Sequence, residues 1–184
     1  MKLTFLGTGT SFGVPVVGCR CDACTSDDPR DRRTRHGALL ELDGGTVLVD
    51  TPPELRLQLL SAGVEVVDAV WFTHAHADHI HGIDDLRVFT AHRRRDLPAF
   101  VPREYEALLR YRFRYIFDDS YRPPEGTTKP EIRLHPFEPS EPVTVLDHRF
   151  EPLAVPHGPL TVYGFRVGDL GYVTDGKYLP EAAM

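Results

Sequence analysis

Long apolar runs, a paired set of cysteines and an excess of positive charge are all missing from this sequence. No stretch approaches the roughly 20 apolar residues that a membrane-spanning helix needs. Glycine, threonine and proline interrupt residues 7–15, so the segment before Cys19 lacks the continuous apolar region of a signal peptide. The formal net charge of −6 argues against a large nucleic-acid-binding surface. We therefore expect a cytoplasmic protein with no membrane partner and no nucleic-acid partner.

The cysteines are few and closely spaced. Cys19, Cys21 and Cys24 form an odd cluster, which is a poor disulfide framework. Cys-x-Cys-x-x-Cys is instead a spacing typical of zinc ligands that lacks only the fourth ligand. The alternative is a group of reduced, buried cysteines. The sequence thus predicts a structural zinc site and leaves that alternative open.

What is present is enough for one folded domain over residues 1–184. The composition, 41% hydrophobic and 26% charged, is ordinary for a globular protein of this size. Alternating or continuous apolar residues predict strands at residues 2–6, 38–42, 46–49, 68–72, 142–146, 150–155, 162–167 and 170–173. Helical spacing predicts helices at residues 53–62, 80–88 and 105–117. Strands on both sides of helical segments indicate a layered α/β sandwich.

The densest chemical signal follows the strand predicted at residues 68–72. Three imidazoles and one carboxylate occur within six residues, at His74, His76, Asp78 and His79. The two leading histidines alternate along extended chain and can face one cavity, whereas the other pair begins a helix and points in a second direction. Neutral imidazole and carboxylate suit borderline divalent ions such as Zn²⁺ or Mn²⁺. Two diverging ligand pairs predict two ions a few Å apart.

Two more candidate ligands follow predicted strands. His157 lies at the end of one strand and Asp175 at the end of another. A single histidine or aspartate at such a position is more often structural than a ligand. Their placement at strand ends, like that of His74, nevertheless predicts convergence on one pocket.

The histidine cluster resembles the HxHxDHxxG signature of the metallo-β-lactamase superfamily. The matching residues are His74-Ala75-His76-Ala77-Asp78-His79 and Gly82. The resemblance implies an αββα sandwich with two metal ions at one edge. It also implies that His74, His76 and His157 hold the first ion. Asp78 and His79 would then hold the second ion, with Asp175 bridging both.

Several further segments resemble the PhnP-type branch of that superfamily. They are Gly7-Thr8-Gly9-Thr10-Ser11, Gly13-Val14-Pro15, Gly18-Cys19-Arg20-Cys21-Asp22-Ala23-Cys24, Asp50-Thr51-Pro52-Pro53 and Asp84-Asp85-Leu86-Arg87. Its namesake opens the 1,2-cyclic phosphate of 5-phosphoribose. The resemblance implies that Cys19, Cys21 and Cys24 bind a structural zinc ion together with a histidine near the C-terminus.

The chain departs from this pattern after Asp175. The superfamily has one more histidine for the second ion, in a later βα unit, and neither it nor the fourth structural-zinc ligand is supplied here. We expect the chain to lack its C-terminal βα unit or units and to be a fragment; a short form completed by a partner chain is the alternative. The second ion should bind more weakly than the first. An uncovered sheet edge would favour a homodimer.

The favoured functional hypothesis is hydrolysis of a small phosphorylated diester. Asp78 is the predicted catalytic residue and orients the attacking water together with Asp175. Arg35 and Arg87 are candidates for holding a terminal phosphate, His81 is either near the substrate or a solvated or structural residue, and no substrate-binding residue is assigned. Arginine clusters at residues 30–35 and 93–95 suggest either solvated surface or a rim that attracts phosphorylated anions.

Other functional hypotheses stay open. The same fold and ligands serve in enzymes that cleave thioesters, lactones or β-lactams, because a fold does not specify a substrate. An RNA-processing nuclease is a further alternative, which the acidic net charge disfavours. A truncated, inactive remnant that binds metal is the non-enzymatic alternative.

Overall fold

One sheet of six strands forms the larger part of the molecule. The computed structural model describes residues 1–93 and 96–181, with only the backbone of residues 92 and 93. The strands of this sheet, which are adjacent in chain order, are β1 (Lys2–Gly7), β2 (Gly37–Leu42), β3 (Gly45–Val49), β4 (Ala69–Trp71), β5 (Leu97–Pro102) and β6 (Ile132–Phe137). Pairing is antiparallel from β1 to β3 and parallel from β3 to β6. The parallel strands therefore end at one edge of the sheet.

A second, antiparallel sheet of four strands faces the first. It contains β7 (Val143–Val145), β8 (His148–His157), β9 (Leu160–Val167) and β10 (Leu170–Tyr172) in the order β10-β9-β8-β7. Aromatic side chains fill the space between the sheets: Trp71 stacks on Phe137 at 4.5 Å between ring centroids and meets Phe165 edge-on at 5.4 Å. The indole N–H of Trp71 also donates to the Tyr163 carbonyl at 2.9 Å. The two sheets thus share one buried core, and the predicted sandwich of sheets is confirmed.

The helices are short. They are α1 (Asp22–Thr25), α2 (Leu55–Ser61), α3 (Ala77–Ile80), α4 (Arg87–Arg93), α5 (Arg103–Arg112) and α6 (Arg114–Phe117), with 3₁₀ turns at Pro29–Asp31 and Ile83–Leu86. Helix α5 packs on β5 and β6. None of the helices in the described part of the chain has the length and apolar character needed to cross a bilayer.

The helix predicted at residues 80–88 is wrong as a single element. The chain instead leaves α3, forms a 3₁₀ turn and then begins α4. The cause is the close approach of the loop after β3, because the Gly82 N–H donates to the Thr51 carbonyl at 2.8 Å instead of continuing the helix. A Cβ on Gly82 would lie 2.1 Å from the Pro52 carbonyl oxygen, so only glycine fits there. This approach places the loop after β3 against the histidine segment.

Two further sequence predictions need correction. The helix predicted at residues 105–117 is two helices, because Phe113 leaves the helical region at φ −116° and ψ 44°. Strands β5 and β6 were not predicted: Pro98 and Pro102 mask β5, whose Ala99 and Val101 are fully enclosed, and Pro136 interrupts the pattern of β6. The remaining predicted strands agree with the structure to within two residues at most ends. The arginine cluster at residues 93–95 lies outside the described side chains.

Candidate metal centre

The candidate site lies where the edges of the two sheets meet. Asp50 follows β3 and His74 follows β4 after two residues, so both leave the same edge of the first sheet. His157 is the last residue of β8, and Asp175 follows β10 after two residues. The Tyr163 N–H donates to the Thr73 carbonyl at 2.9 Å, which ties the second sheet to the segment carrying the histidines. Residues far apart in the chain are therefore brought to one place, as the strand ends predicted.

Three imidazoles form the first ligand group. One ring nitrogen from each of His74, His76 and His157 lies within 4.8 Å of the others. His74 Nε2 and His76 Nδ1 are 3.0 Å apart. Nitrogens bound tetrahedrally to one Zn²⁺ at 2.0–2.1 Å stand about 3.3 Å apart. The residues present thus fit a single small divalent ion with little rearrangement.

Asp175 lies between this group and a second one. Its Oδ2 atom is 3.2 Å from His79 Nε2, and 3.9 Å from Nε2 of both His74 and His157. Ligand atoms of His74, His79 and Asp175 all lie within 4.8 Å of one another. Asp78 Oδ2 stands 3.7 Å from His79 Nε2. The carboxylate of Asp175 therefore lies close to Nε2 of His79 and to two of the three histidines of the first group.

Burial and neighbouring charges shift the pKa values of three groups at the site. Burial, helped by nearby His79, lowers the pKa of His74 to about 4, so this imidazole is neutral and can ligate. Burial also acts to lower the pKa of His79, but the carboxylates of Asp50 and Asp175 outweigh it and raise that pKa to about 10. The pKa of Asp175, which burial would raise, is held well below its usual range by His79. In the metal-free protein, the proton on His79 thus supplies the positive charge next to Asp175.

Asp50 is the main functional residue to which the sequence assigned no role. It is fully buried and accepts hydrogen bonds from the Thr73 N–H at 2.8 Å, from the Thr73 hydroxyl at 2.7 Å and from His79 Nδ1 at 2.6 Å. Because Asp50 binds Nδ1, the Nε2 atom of His79 is left facing Asp175. Such a carboxylate–histidine contact sets the tautomer and orientation of a metal ligand. The sequence showed only that Asp50 follows the strand predicted at residues 46–49.

Two other contacts at the site were not predicted. His36 Nε2 lies within hydrogen-bond distance of the Tyr172 hydroxyl, and the His36 ring centroid is 5.6 Å from that of His79. The guanidinium of Arg112 donates to the carbonyl of Ala75 at 2.5 Å. Both contacts brace the histidine segment from outside the ligand set.

The three cysteines also come together. One sulfur atom of each of Cys19, Cys21 and Cys24 lies within 4.8 Å of the other two. The Val16 N–H donates to Cys24 Sγ at 3.3 Å. Cys19 and Cys21 are exposed, so the alternative of buried, reduced cysteines is wrong. Within residues 1–93 and 96–181, no fourth ligand joins the group.

Replacing Cys21 with serine is expected to lower the zinc content by about one ion per chain, because two thiolates hold zinc far less well than three. Elemental analysis after dialysis against a weak chelator measures this, with Ser26→Ala as a control on the same loop. Unchanged zinc content in the Cys21→Ser variant would exclude a zinc site at these cysteines.

Comparison with known proteins agrees with this geometry. The profile described as beta-lactamase superfamily domain matches residues 45–184. A crystal structure of a new diphosphatase from the PhnP family superposes with a TM-score of 0.86 at 38% identity, covering 98% of this chain and 67% of that one. Zn(2+)-bound PqqB from Methylobacterium extorquens shares the fold, with a TM-score of 0.70 at 17% identity over 90% of this chain and 61% of that one.

Among proteins compared by sequence, an octanoyltransferase of Porphyromonas gingivalis (strain ATCC BAA-308 / W83) is 40% identical over 178 residues. The match covers 96% of this chain and 35% of that protein. The chain thus spans about a third of the octanoyltransferase. The anti-Pycsar protein Apyc1 of Saccharibacillus brassicae is 33% identical over 88 residues, or 46% of this chain and 29% of that protein.

Two facing sheets with a histidine- and aspartate-rich candidate metal site at their shared edge are the arrangement expected of the metallo-β-lactamase fold. The chain belongs to the metallo-β-lactamase superfamily, in its PhnP-like branch.

Proposed function

We propose that the protein hydrolyses a small phosphorylated diester, such as phosphoribosyl 1,2-cyclic phosphate, using two divalent ions. The observation that carries this proposal is that Asp175 Oδ2 lies 3.2 Å from Nε2 of His79 and 3.9 Å from Nε2 of both His74 and His157, so one carboxylate adjoins both His79 and the group of three histidines. One ion would be held by His74, His76 and His157, and the other by Asp78 and His79. The 38% identical relative is a diphosphatase, which supports phosphorus as the centre attacked.

The residues of the site would divide the work as follows. When bound, two ions of Zn²⁺ or Mn²⁺ would supply an activated water molecule and positive charge for the phosphoryl oxygens. Asp78 and Asp175 accept hydrogen bonds from the attacking water and so set its direction. Asp50 keeps the proton of His79 on Nδ1, which leaves Nε2 free to ligate. Buried Thr73 holds Asp50 in place.

A substrate panel tests the proposal. The metal-loaded chain is offered phosphoribosyl 1,2-cyclic phosphate and octanoyl-coenzyme A, the second because a 40% identical relative is an octanoyltransferase. We expect metal-dependent opening of the cyclic phosphate with a kcat/KM at least about 100-fold above that for the thioester. A preference for the thioester would mean that the protein is an acyl-thioester hydrolase and not a phosphodiesterase. Hydrolysis of neither compound with either metal would overturn the proposal in favour of a metal-binding remnant.

Asp78→Ala is expected to lower kcat by at least about 1000-fold, because the variant loses a ligand to the second ion and the contact that orients water. The fold should persist, since Asp78 lies in the first turn of the short helix α3 with its side chain partly exposed. Initial rates and circular dichroism measure both effects. Asp169→Ala, at an exposed aspartate between β9 and β10, is the matched control. Activity that persists in Asp78→Ala would remove this residue from the mechanism.

A further inference from the structure

Arg112, the last residue of α5, is attached to the metal-binding segment itself. Its Nη1 atom donates to the carbonyl oxygen of Ala75 at 2.5 Å. Ala75 lies between His74 and His76, the two ligands proposed for the first ion. The guanidinium therefore contacts the main chain between these two residues and is not part of the ligand set.

Arg112 differs from its neighbours because no carboxylate neutralises it. On the same helix, Arg103 pairs with Glu106 and Glu138, and Arg110 pairs with Glu106. In the part of the chain that the structure describes, Arg112 has no ion-pair partner within 4.0 Å, and its side chain is exposed. A guanidinium has five N–H donors, of which the Ala75 carbonyl takes one. The others remain available to an anion.

The two arginines that the sequence suggested for this role are already engaged. Arg35 lies 3.7 Å from Glu54 and donates to the Ser11 carbonyl, and Arg87 forms an ion pair with Asp84. Releasing either arginine for a phosphate would break an existing ion pair.

Asp84, a carboxylate that contacts the residues after α5, is paired with other groups and does not neutralise Arg112. The Tyr115 hydroxyl donates to Asp84 at 2.6 Å, and Arg87 pairs with the same aspartate, so that carboxylate is satisfied without Arg112. Phe113, the next residue after Arg112, packs edge-on against His81 with ring centroids 6.0 Å apart. This contact attaches the end of α5 to the residue that follows α3. The end of α5 that carries Arg112 is thus fixed by packing.

We propose that Arg112 binds the terminal, non-reacting phosphate of the substrate, an assignment that rests on the proposed phosphodiesterase function. A planar guanidinium donates two parallel hydrogen bonds to a phosphate, which fits a group that needs a fixed orientation. The reacting and terminal phosphates of a phosphorylated pentose lie at different ends of the sugar. A cation beside the metal ligands, and not among them, meets that requirement.

A matched pair of substrates tests this assignment. Ribose 1,2-cyclic phosphate with and without the 5-phosphate presents the same reacting group, and only one of the two carries the terminal anion. Arg112→Met is expected to raise KM for the 5-phosphorylated compound roughly 10- to 100-fold more than KM for the other compound, because loss of the Ala75 contact affects both compounds and loss of a phosphate contact affects only one. Arg112→Lys should recover part of the lost affinity, since lysine keeps the positive charge but lacks the two parallel N–H donors of the guanidinium. Arg110→Met is the control on the same helix.

Binding of ribose 5-phosphate to the metal-loaded protein, measured by calorimetry, separates this proposal from the proposed function. If the wild type opens neither cyclic compound but Arg112→Met weakens ribose 5-phosphate binding about 10-fold or more, the reaction is wrong and the phosphate site stands. If Arg112→Met slows both cyclic substrates equally and loses metal, the residue only positions Ala75 and the proposal is overturned. Unchanged kinetics and unchanged binding overturn it as well.

Discussion

Asp175→Asn is expected to hydrolyse the cyclic phosphodiester at least about 1000-fold more slowly than the wild type, with a lower content of bound metal. The carboxylate stands 3.2 Å from Nε2 of His79 and 3.9 Å from Nε2 of both His74 and His157, so one atom serves both ligand groups. An amide keeps the size of the side chain but carries no negative charge, so it holds two neighbouring cations less well than a carboxylate does. Both ions should therefore lose affinity.

The control for Asp175→Asn is the same substitution at a distant, exposed aspartate. Asp169→Asn makes the same change on an exposed turn between β9 and β10 and should retain activity. Rates are measured across a range of metal concentrations, because a weakened ligand set is partly rescued by excess metal and a lost orienting contact is not. If Asp175→Asn keeps wild-type rates at limiting metal, Asp175 bridges nothing.

Asp50→Asn is expected to weaken binding of the second ion by roughly 10- to 100-fold although Asp50 touches neither proposed ion. The wild-type carboxylate accepts a hydrogen bond from His79 Nδ1 at 2.6 Å. An amide group turned toward His79 would donate instead, which moves the imidazole proton to Nε2. That nitrogen would then be blocked as a ligand. In other enzymes, replacing an aspartate that orients a histidine with asparagine likewise produces the opposite tautomer of that histidine.

Asparagine is chosen at this position because Asp50 has a positive φ of 60°, which asparagine tolerates and alanine does not. The variant should lose about 3–5 kcal/mol of unfolding free energy at most, as for a broken buried pair. Urea unfolding and metal titration are measured together, with Asp43→Asn in the exposed β2–β3 turn as the control. A variant that loses stability but binds the second ion normally would show that Asp50 is only structural.

The histidine segment was the part most readily predicted from sequence. Alternation along an extended chain sends His74 and His76 to one side, and the start of α3 turns Asp78 and His79 to another, so local geometry suffices. His157 and Asp175 required more, because a residue at a strand end meets the others only once the sheets are in place. Their positions at strand ends predicted the convergence, and the family resemblance implied which ion each of them would hold. The roles of all six as ligands stay predictions.

What the sequence could not indicate depends on packing between distant segments. Asp50 is one of many aspartates, and its three hydrogen bonds exist only because β3 runs parallel to β4. Arg112 at the end of a helix is typical of a solvated cation that favours the helix dipole, and its contact with Ala75 follows from how α5 packs. The break in the helix predicted at residues 80–88 arises from the loop around Pro52 pressing on Gly82. Each of these is a tertiary contact without a local pattern.

The proposed reaction depends on two neighbouring metal sites that share Asp175. Calorimetric titration of the metal-free protein with Mn²⁺, on a variant with Cys19, Cys21 and Cys24 changed to serine, counts the ions at this site alone. We expect two binding events, a tighter one at the three histidines and a weaker one at Asp78 and His79, with Asp175→Asn weakening both. A single event, or two events that Asp175→Asn leaves unchanged, would contradict the account.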